Sequence, residues 1–404
     1  MRDLVEALPD PFEVPDDANI TLKFPNQYVF TTGLALLATW RSALSNGVSV
    51  RIDDANCEES ARRLLKSRGF VDIIQHGQRA QPPTFRGYGT VPLLPIVQGA
   101  DTQNAISAIC SALASFSGSL HDPRAFNVLL SELCENALVH AELHTPAYFC
   151  ANIHRTRNAK RLEIAIADAG IGIRNSYLEG TNQIAKDKIK AGVSPLDLAV
   201  EGLFSSKRDP KPGSFRSHFG YGLFLARRLV DENHGRMTVI SGDECLNTQR
   251  YERKVQSLKN GWRGTFVGLL LDLDRPLPLD EIYEQAAREA TRSSPAPPST
   301  PAAEAPAKEP VRVSLGDYGA QLLTREVGVI IRADIATALA SGAAVIVSMD
   351  GIEDLTPSVA DECFGKLAES LGQEQFELKV KLAGGSPLIS RLIQLVVSNR
   401  LNRS

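Results

Sequence analysis

No two of the six cysteines, Cys57, Cys110, Cys134, Cys150, Cys245 and Cys363, stand in a CxxC pair. That scatter excludes the usual spacing of zinc sites and disulfide frameworks, and points to a reducing compartment. Neither sign of charge is in excess: 44 Lys and Arg against 47 Asp and Glu leave a formal net charge of -3. The chain as a whole therefore has no electrostatic pull toward nucleic acid or anionic lipid, and nucleic acid is disfavoured as a partner. No apolar run approaches the ~20 residues that cross a bilayer. The opening MRDLVEALPDPFEVPDDANI is acidic and broken by proline, where a secretory leader would be basic and then apolar. Together these absences predict a cytoplasmic protein without membrane contact.

At 404 residues the chain exceeds one ordinary core, and about 150 residues per domain predicts two or three domains. The clearest boundary is the segment 291–310, in which SSPAPPSTPAAEAPAKEP is dominated by Pro, Ala and Ser and gains too little by burial to order itself. A softer boundary lies at GQRAQPPTFRGYGT, residues 77–90. Before it, ITLKF and VSVRI read as strands, and TGLALLATWRSAL and CEESARRLLKSRGF as helices, a βαβα unit. The expected division is a small N-terminal α/β domain (1–95), a central domain (96–290), the linker (291–310) and a C-terminal domain (311–404).

Four segments of the central part carry chemistry. DPRAFNVLLSELCENALVHAEL reads as a helix, with Asp122 able to cap its start and Pro123 suited to its first position. Leu129, Leu133 and Ala137 recur at helical spacing, while Glu132, Asn136 and His140 share another stripe. A carboxylate and an amide on a mostly apolar helix need partners. Water and a magnesium ion would serve, the amide oxygen as a hard ligand and the carboxylate as a proton acceptor; a polar shoulder on a core helix fits the same letters. In RLEIAIADAGIGI, alternation of Leu162, Ile164 and Ile166 marks a strand that ends at Asp168, with Gly170 and Gly172 following. A carboxylate there can accept from an adenine amine, and an ordinary Asp-Gly turn is the alternative. In HFGYGLFLARRLVDENHGRMTVI, Gly220 and Gly222 open a helix that Gly235 is expected to close; free N–H groups at such a start suit phosphate. In GWRGTFVGLLLDL, Gly264 and Thr265 enter an apolar strand.

Taken in order, helix, strand-to-loop, loop-to-helix and strand, these segments resemble the ATP-binding domain of the GHKL group, which includes gyrase, MutL-type repair proteins and histidine kinases. The likeness spans roughly residues 100 to 275. ELCEN is similar to the N box, DAGIGI to the G1 box, GYGLFLARRLV to the G2 box, and GTF to the box that closes the site. The resemblance implies a two-layer α/β sandwich of the GHKL (Bergerat) type, with ATP and Mg2+ as ligands. It implies that Asn136 ligates magnesium, Glu132 positions or deprotonates water, and Asp168 reads the adenine amine with help from Thr265. Gly170 and Gly172 would shape the adenine pocket, and Gly220 and Gly222 would contact phosphates. Residues between Gly172 and Gly220 would form a mobile lid, with Lys207, Arg208 and Arg216 as candidates for meeting phosphate charge; a solvated basic loop fits them equally.

The C-terminal stretch AAVIVSMDGIEDLTPSVADECFGKLAESL reads as strand, loop and helix, followed by a strand in FELKVKLAG and a helix in PLISRLIQLVVSNRL. MDGIEDLTPSVADECFGKL resembles STAS-like domains, distant relatives of anti-anti-sigma factors. The N-terminal unit could be a further module of that kind, giving a central sandwich flanked by smaller α/β domains. The resemblance makes Thr356 and Ser358 possible phosphoacceptors, although the Asp-Ser-Ser-Gly pattern is missing; a helix cap is the alternative. His76 is placed in a loop and His121 immediately before the N-box helix, neither on a long helix pair, which disfavours a conventional sensor kinase. His140 and His144 read as packing or surface residues. The expected function is an ATPase or serine/threonine kinase acting as a bacterial signalling switch with a protein partner. The alternatives are a nucleotide-sensing module and an ATP-gated homodimeric clamp.

Overall fold

The computed structural model describes the chain except residues 25–30, 56, 78–88, 116–122, 141–144, 156–158, 181, 202–220, 280, 283–308 and 402–404. The described residues fall into two compact units that part at Leu277 and Pro278.

The first unit is built on a five-stranded antiparallel sheet in the order β3-β4-β5-β7-β6. Its strands are β3 (Thr90–Ile96), β4 (Ala147–Arg155), β5 (Lys160–Ala167), β6 (Arg236–Gln249) and β7 (Glu252–Asp272). On one face lie α5 (Gly99–Ser115), α6 (Pro123–His140) and α10 (Tyr221–Glu232), each meeting the sheet through an apolar stripe. Between β5 and α10 in the chain come α7 (Gly172–Glu179), α8 (Gln183–Lys190) and α9 (Pro195–Glu201). Pro123 opens α6 as the sequence predicts; the proposed cap Asp122 lies outside the described residues.

The other face is covered as well. The N-terminal βαβα unit comprises α1 (Arg2–Ala7), β1 (Asn19–Lys23), α2 (Thr31–Ala43), β2 (Ser49–Asp53), α3 (Glu59–Ser67) and α4 (Phe70–His76). Strands β1 and β2 pair in parallel, and α2 lies along β4 and β5. The letters of β5 explain the close fit. Leu162, Ile164 and Ile166 point to one face, and Glu163, Ala165 and Ala167 to the other. Ala165 and Ala167 are fully buried, and Gly268 stands opposite Ala165 on β7. A Cβ on Gly268 would reach Thr32 Cγ2 of α2 at 3.4 Å. This small-residue floor lets α2 approach, and Leu34, Leu36 and Trp40 are shut from solvent in one core with Tyr148, Cys150 and Phe266 of the sheet. Burying each such side chain stabilises the layer by about 2 kcal/mol.

Three local expectations change in the first unit. The segment CEESARRLLKSRGF and the residues after it form two helices, because Gly69 takes a left-handed φ of 71° between them. His76, expected in a loop, is the last residue of α4, since Phe70, Ile73 and Ile74 extend the buried helical stripe to it. At the end of α10 the left-handed residue is His234 (φ 60°) rather than Gly235. Gly235 N–H returns to the Val230 carbonyl at 2.8 Å and His234 N–H to that of Asp231 at 3.1 Å, a Schellman closure. Glycine is needed at 235 because a Cβ there would strike the Leu270 carbonyl on β7.

The second unit holds a parallel sheet in the order β12-β10-β8, made of β8 (Val311–Ser314), β10 (Val345–Ser348) and β12 (Val380–Ala383), and a short parallel pair, β9 (Gln321–Leu322) with β11 (Asp354–Leu355). FELKVKLAG is only partly strand: Phe376 is buried from a helix Gln373–Lys379, and the strand begins at Val380. The helical stretch from Pro357 to Leu371 contains a π turn at Asp361–Gly365. That turn presents two fully buried carboxylates. Asp361 receives Arg400 through two hydrogen bonds of 2.9 Å, and Arg400 also reaches Glu369 at 2.8 Å. Glu362 meets Lys366 at 2.6 Å, Arg332 at 2.9 Å and Arg325 at 3.8 Å. Burial pushes the Asp361 carboxyl up, with Arg400 working against it. A Cβ on Gly365 would strike Asp361 Oδ1, so glycine makes room for this pair.

Among the described residues no helix is long and apolar enough to cross a membrane. Removing one partner of a buried ion pair leaves an uncompensated charge. Arg400→Leu should therefore destabilise the protein by about 3 kcal/mol or more, read as a lower urea midpoint of the full chain.

Candidate functional site

The sheet's register brings the distant motifs to one edge. Helix α6 leads within a few residues into β4, whose Tyr148 pairs with Ala167, the last residue of β5. Ala167 in turn pairs with Phe266, and Ser241 with Thr265. Asp168, Gly264, Thr265 and Ser241 thus share the edge near the end of α6. Helix α10 turns directly into β6 and runs back along it, which returns Gly222 to the same edge.

Asp168 is the most constrained group there. Only 3% of it is exposed. Oδ1 accepts the N–H of Gly170 at 2.9 Å and that of Thr265 at 3.2 Å; among the described residues Oδ2 accepts none. Burial raises its pKa to about 7, against the lowering effect of those two N–H groups. The Asp168 backbone is fixed too, its N–H on the Thr265 carbonyl at 2.9 Å and its carbonyl on Trp262 Nε1 at 2.9 Å. Two glycines permit this closeness. A Cβ on Gly264 would collide with the Asp168 carbonyl, and Gly172, at φ +73°, lies against the Arg263 carbonyl and Ser241 Oγ. Ser241 Oγ joins the strands to the helix that starts at Gly172, donating to the Gly264 carbonyl at 2.8 Å and accepting Ile173 N–H at 2.9 Å. Thr265 is half-buried, and its hydroxyl makes no hydrogen bond among the described residues.

The second half of the edge joins α6 to α10. A Cβ on Gly222 would lie 2.5 Å from Asn136 Nδ2 and 3.2 Å from Glu132 Cβ. Glycine therefore lets the start of α10 rest on the polar stripe of α6. Glu132 is 7% exposed. Asn136 is half-buried, and its amide makes no hydrogen bond among the described residues.

Glu132 and Asn136 are thus brought against Gly222, and Asp168, Gly170 and Gly172 against Gly264 and Thr265. Lys207, Arg208, Arg216, Gly220, His121 and His144 lie outside the described residues, as does the side chain of His140. Thr356 and Ser358 are buried in the second unit. Thr356 caps the helix at Pro357, its Oγ1 accepting Val359 N–H at 3.3 Å, and lies 3.3 Å from Ser358 Oγ. Sequence reasoning missed Trp262 and Ser241. Trp262, one of two tryptophans in the chain, stands three residues before Thr265 and could have been marked; nothing local distinguishes Ser241.

Residues 121–274 match the family described as histidine kinase-, DNA gyrase B- and HSP90-like ATPase. The chain carries a GHKL-type ATPase domain. The matched span covers the second to fifth strands of the sheet, α6, α10 and the whole edge described above, and the GHKL sandwich is the mixed α/β layer seen in the first unit. Residues 327–389 match a STAS-like domain of unknown function. No curated protein matches the chain at a significant level. The GHKL assignment places the domain in an ATP-binding kinase and ATPase family.

The buried carboxyl of the GHKL domain has a measurable consequence. Its folded pKa of about 7 exceeds the unfolded value of about 3.9. Stability from this group is therefore complete below about pH 4 and is lost as pH rises through about 7. In the ligand-free protein the loss should be on the order of 1 kcal/mol per pH unit in that window. Thermal unfolding of wild type and Asp168→Asn across the range should show the wild type falling relative to the variant.

Proposed function

We propose that the protein binds ATP with magnesium at this edge and acts as a nucleotide-dependent regulatory switch, returning phosphate to water or passing it to another protein. The observation that carries the reading is the set of hydrogen-bonding groups left open there among the described residues. Asp168 Oδ2, the Thr265 hydroxyl and the Asn136 amide have no partner among the described residues, and Gly222 seats α10 on the Glu132–Asn136 stripe. Polar groups held in place by the fold and not spent on protein partners are available to a ligand.

An adenine amine is a donor that fits Asp168 Oδ2, with the Thr265 hydroxyl beside it. Gly170 and Gly172 shape the turn beside Asp168, and the N-terminal end of α10 near Gly222 would turn its backbone N–H groups toward phosphate. The Asn136 amide oxygen is a hard ligand of the sort magnesium accepts alongside substrate phosphates. Bound there, the ion would neutralise phosphate charge. Glu132, four residues before Asn136 on α6, would orient a water molecule and accept its proton. Discrimination against GTP follows from the acceptor at Asp168, because the guanine carbonyl would face a carboxylate oxygen and leave both unpaired.

The burial of Thr356 and Ser358 favours transfer to water or to a second protein over transfer to these hydroxyls, since Thr356 is already spent as a helix cap. A switch of this kind would present different surfaces with and without nucleotide, the shift being set by differential affinity. A cytoplasmic location, a protein partner and self-association belong to the same proposal.

Incubation of the full chain with ATP labelled on the γ-phosphate should release labelled phosphate, with little label on Thr356 or Ser358; heavy labelling of either would overturn that part. Glu132→Gln should lower turnover at least a hundredfold, within the range of about 10² to 10⁴ for general-base catalysis, while calorimetry still detects ATP. Asn136→Ala should remove the magnesium dependence of binding. Loss of ATP binding in Glu132→Gln would refute the role given to that carboxylate.

A further inference from the structure

The layer behind the sheet converges on the strand that delivers Asp168. Helix α2 is fastened to β5 at the middle of that strand and at its end. The N–H of Thr32 donates to Glu163 Oε1 at 3.0 Å. Two turns later the Thr39 hydroxyl faces the carbonyl of Ala167, the residue before Asp168, at 2.9 Å, and the Ala35 carbonyl of its own helix at 3.0 Å. Thr39 is fully buried. The next carbonyl along the chain, that of Asp168, is held by Trp262 Nε1 at 2.9 Å. Two successive carbonyls, on the last residue of the strand and on the residue after it, are therefore met by side-chain donors, the Thr39 proton being shared between Ala167 and Ala35.

Trp262 belongs to the same apolar core as α2. The stretch just before it is held by α1, where Glu6 Oε1 accepts Lys259 N–H at 3.1 Å and the Glu6 carbonyl accepts the Asn260 amide at 2.8 Å. The residue just after it, Arg263, stacks its guanidinium 4.5 Å above the Phe12 ring. On both strands that frame Asp168, the backbone next to the carboxylate is thus anchored to the N-terminal layer. A carboxylate aims where its backbone puts it, and an error of a fraction of an ångström weakens a charged hydrogen bond.

We propose that Thr39 and Trp262 are positioning residues for the nucleotide site, through which the N-terminal layer sets how tightly and how selectively adenine is held. This rests on the reading of Asp168 as the adenine-binding carboxylate. The coupling is reciprocal: a ligand that fixes Asp168 also tightens α2, although α2 does not touch it.

The test uses the full chain with magnesium. Thr39→Val keeps the volume and removes the donor, leaving the Ala167 carbonyl short of a partner, whereas Thr39→Ser keeps the donor. Thr39→Val and Trp262→Phe should each weaken ATP binding about tenfold and narrow the preference for ATP over GTP, and Thr39→Ser should restore both. In the wild type, amide exchange along residues 31–43 should slow with ADP and not with tripolyphosphate, which lacks the base. Folded Thr39→Val and Trp262→Phe proteins with wild-type affinity and selectivity would overturn the inference. If those variants do not fold, an ADP effect confined to residues 168–173, with α2 unchanged, overturns it equally. A wild type that takes up no adenine nucleotide, or an Asp168→Asn protein that binds ATP as tightly, would instead show that the underlying site reading is wrong and would remove this inference with it.

Discussion

A carboxyl group held almost out of water at the end of a strand sets the terms for the first unit. Keeping Asp168 buried opposes its ionisation, and the surroundings answer with directed N–H groups. Each answer constrains something else. The Thr265 N–H fixes the register of β7 at the edge, and the close approach of that strand to Asp168 admits no side chain at Gly264. The turn that brings Gly170 back to Oδ1 continues into a helix whose first residue takes a positive φ, and the Ser241 hydroxyl then pins that helix to the strands. A ligand donor at Oδ2 would complete a group that the described residues leave half satisfied.

Around this point the unit is three layers deep. An isolated GHKL sandwich has helices on one face of its sheet; here the opposite face of β4 and β5 carries α2. The floor of Ala165, Ala167 and Gly268 makes the approach possible, and the leucines of α2 supply the apolar area that holds it. One polar residue on that floor, Glu163, is satisfied by Thr32 N–H and by His154 Nε2 at 2.6 Å. Those bonds hold its carboxyl below the usual range in spite of burial. The layer is therefore fixed in register as well as in depth.

The second unit solves a different problem. Its central helix carries Asp361 and Glu362 inward, and four basic side chains meet them or their neighbours. Such clusters add little net stability but penalise any packing that separates the partners. The hydroxyls of Thr356 and Ser358, at the start of the same helix, are enclosed by this packing. A phosphoryl group on either would have to open the helix start.

Much of this was legible in the letters. Pro123 starts a helix, the alternation from Leu162 to Ile166 makes a strand ending at Asp168, and the order of four short motifs names the family, because each follows from local spacing and steric preference. The glycines were legible as glycines but not in their reasons: Gly222 and Gly235 are needed for what lies across from them, and His234 rather than Gly235 takes the left-handed turn. Glu163, Ala165 and Ala167 look like the outward face of a strand; only the arrival of α2 makes them a floor. Trp262 and Ser241 gained their places through register between strands far apart in sequence. The sequence by itself determined the elements and their chemistry, since propensity and periodicity act over a few residues. Which polar groups meet, and which are left open at the edge, was decided by tertiary packing, since that depends on distances between segments that no local pattern encodes.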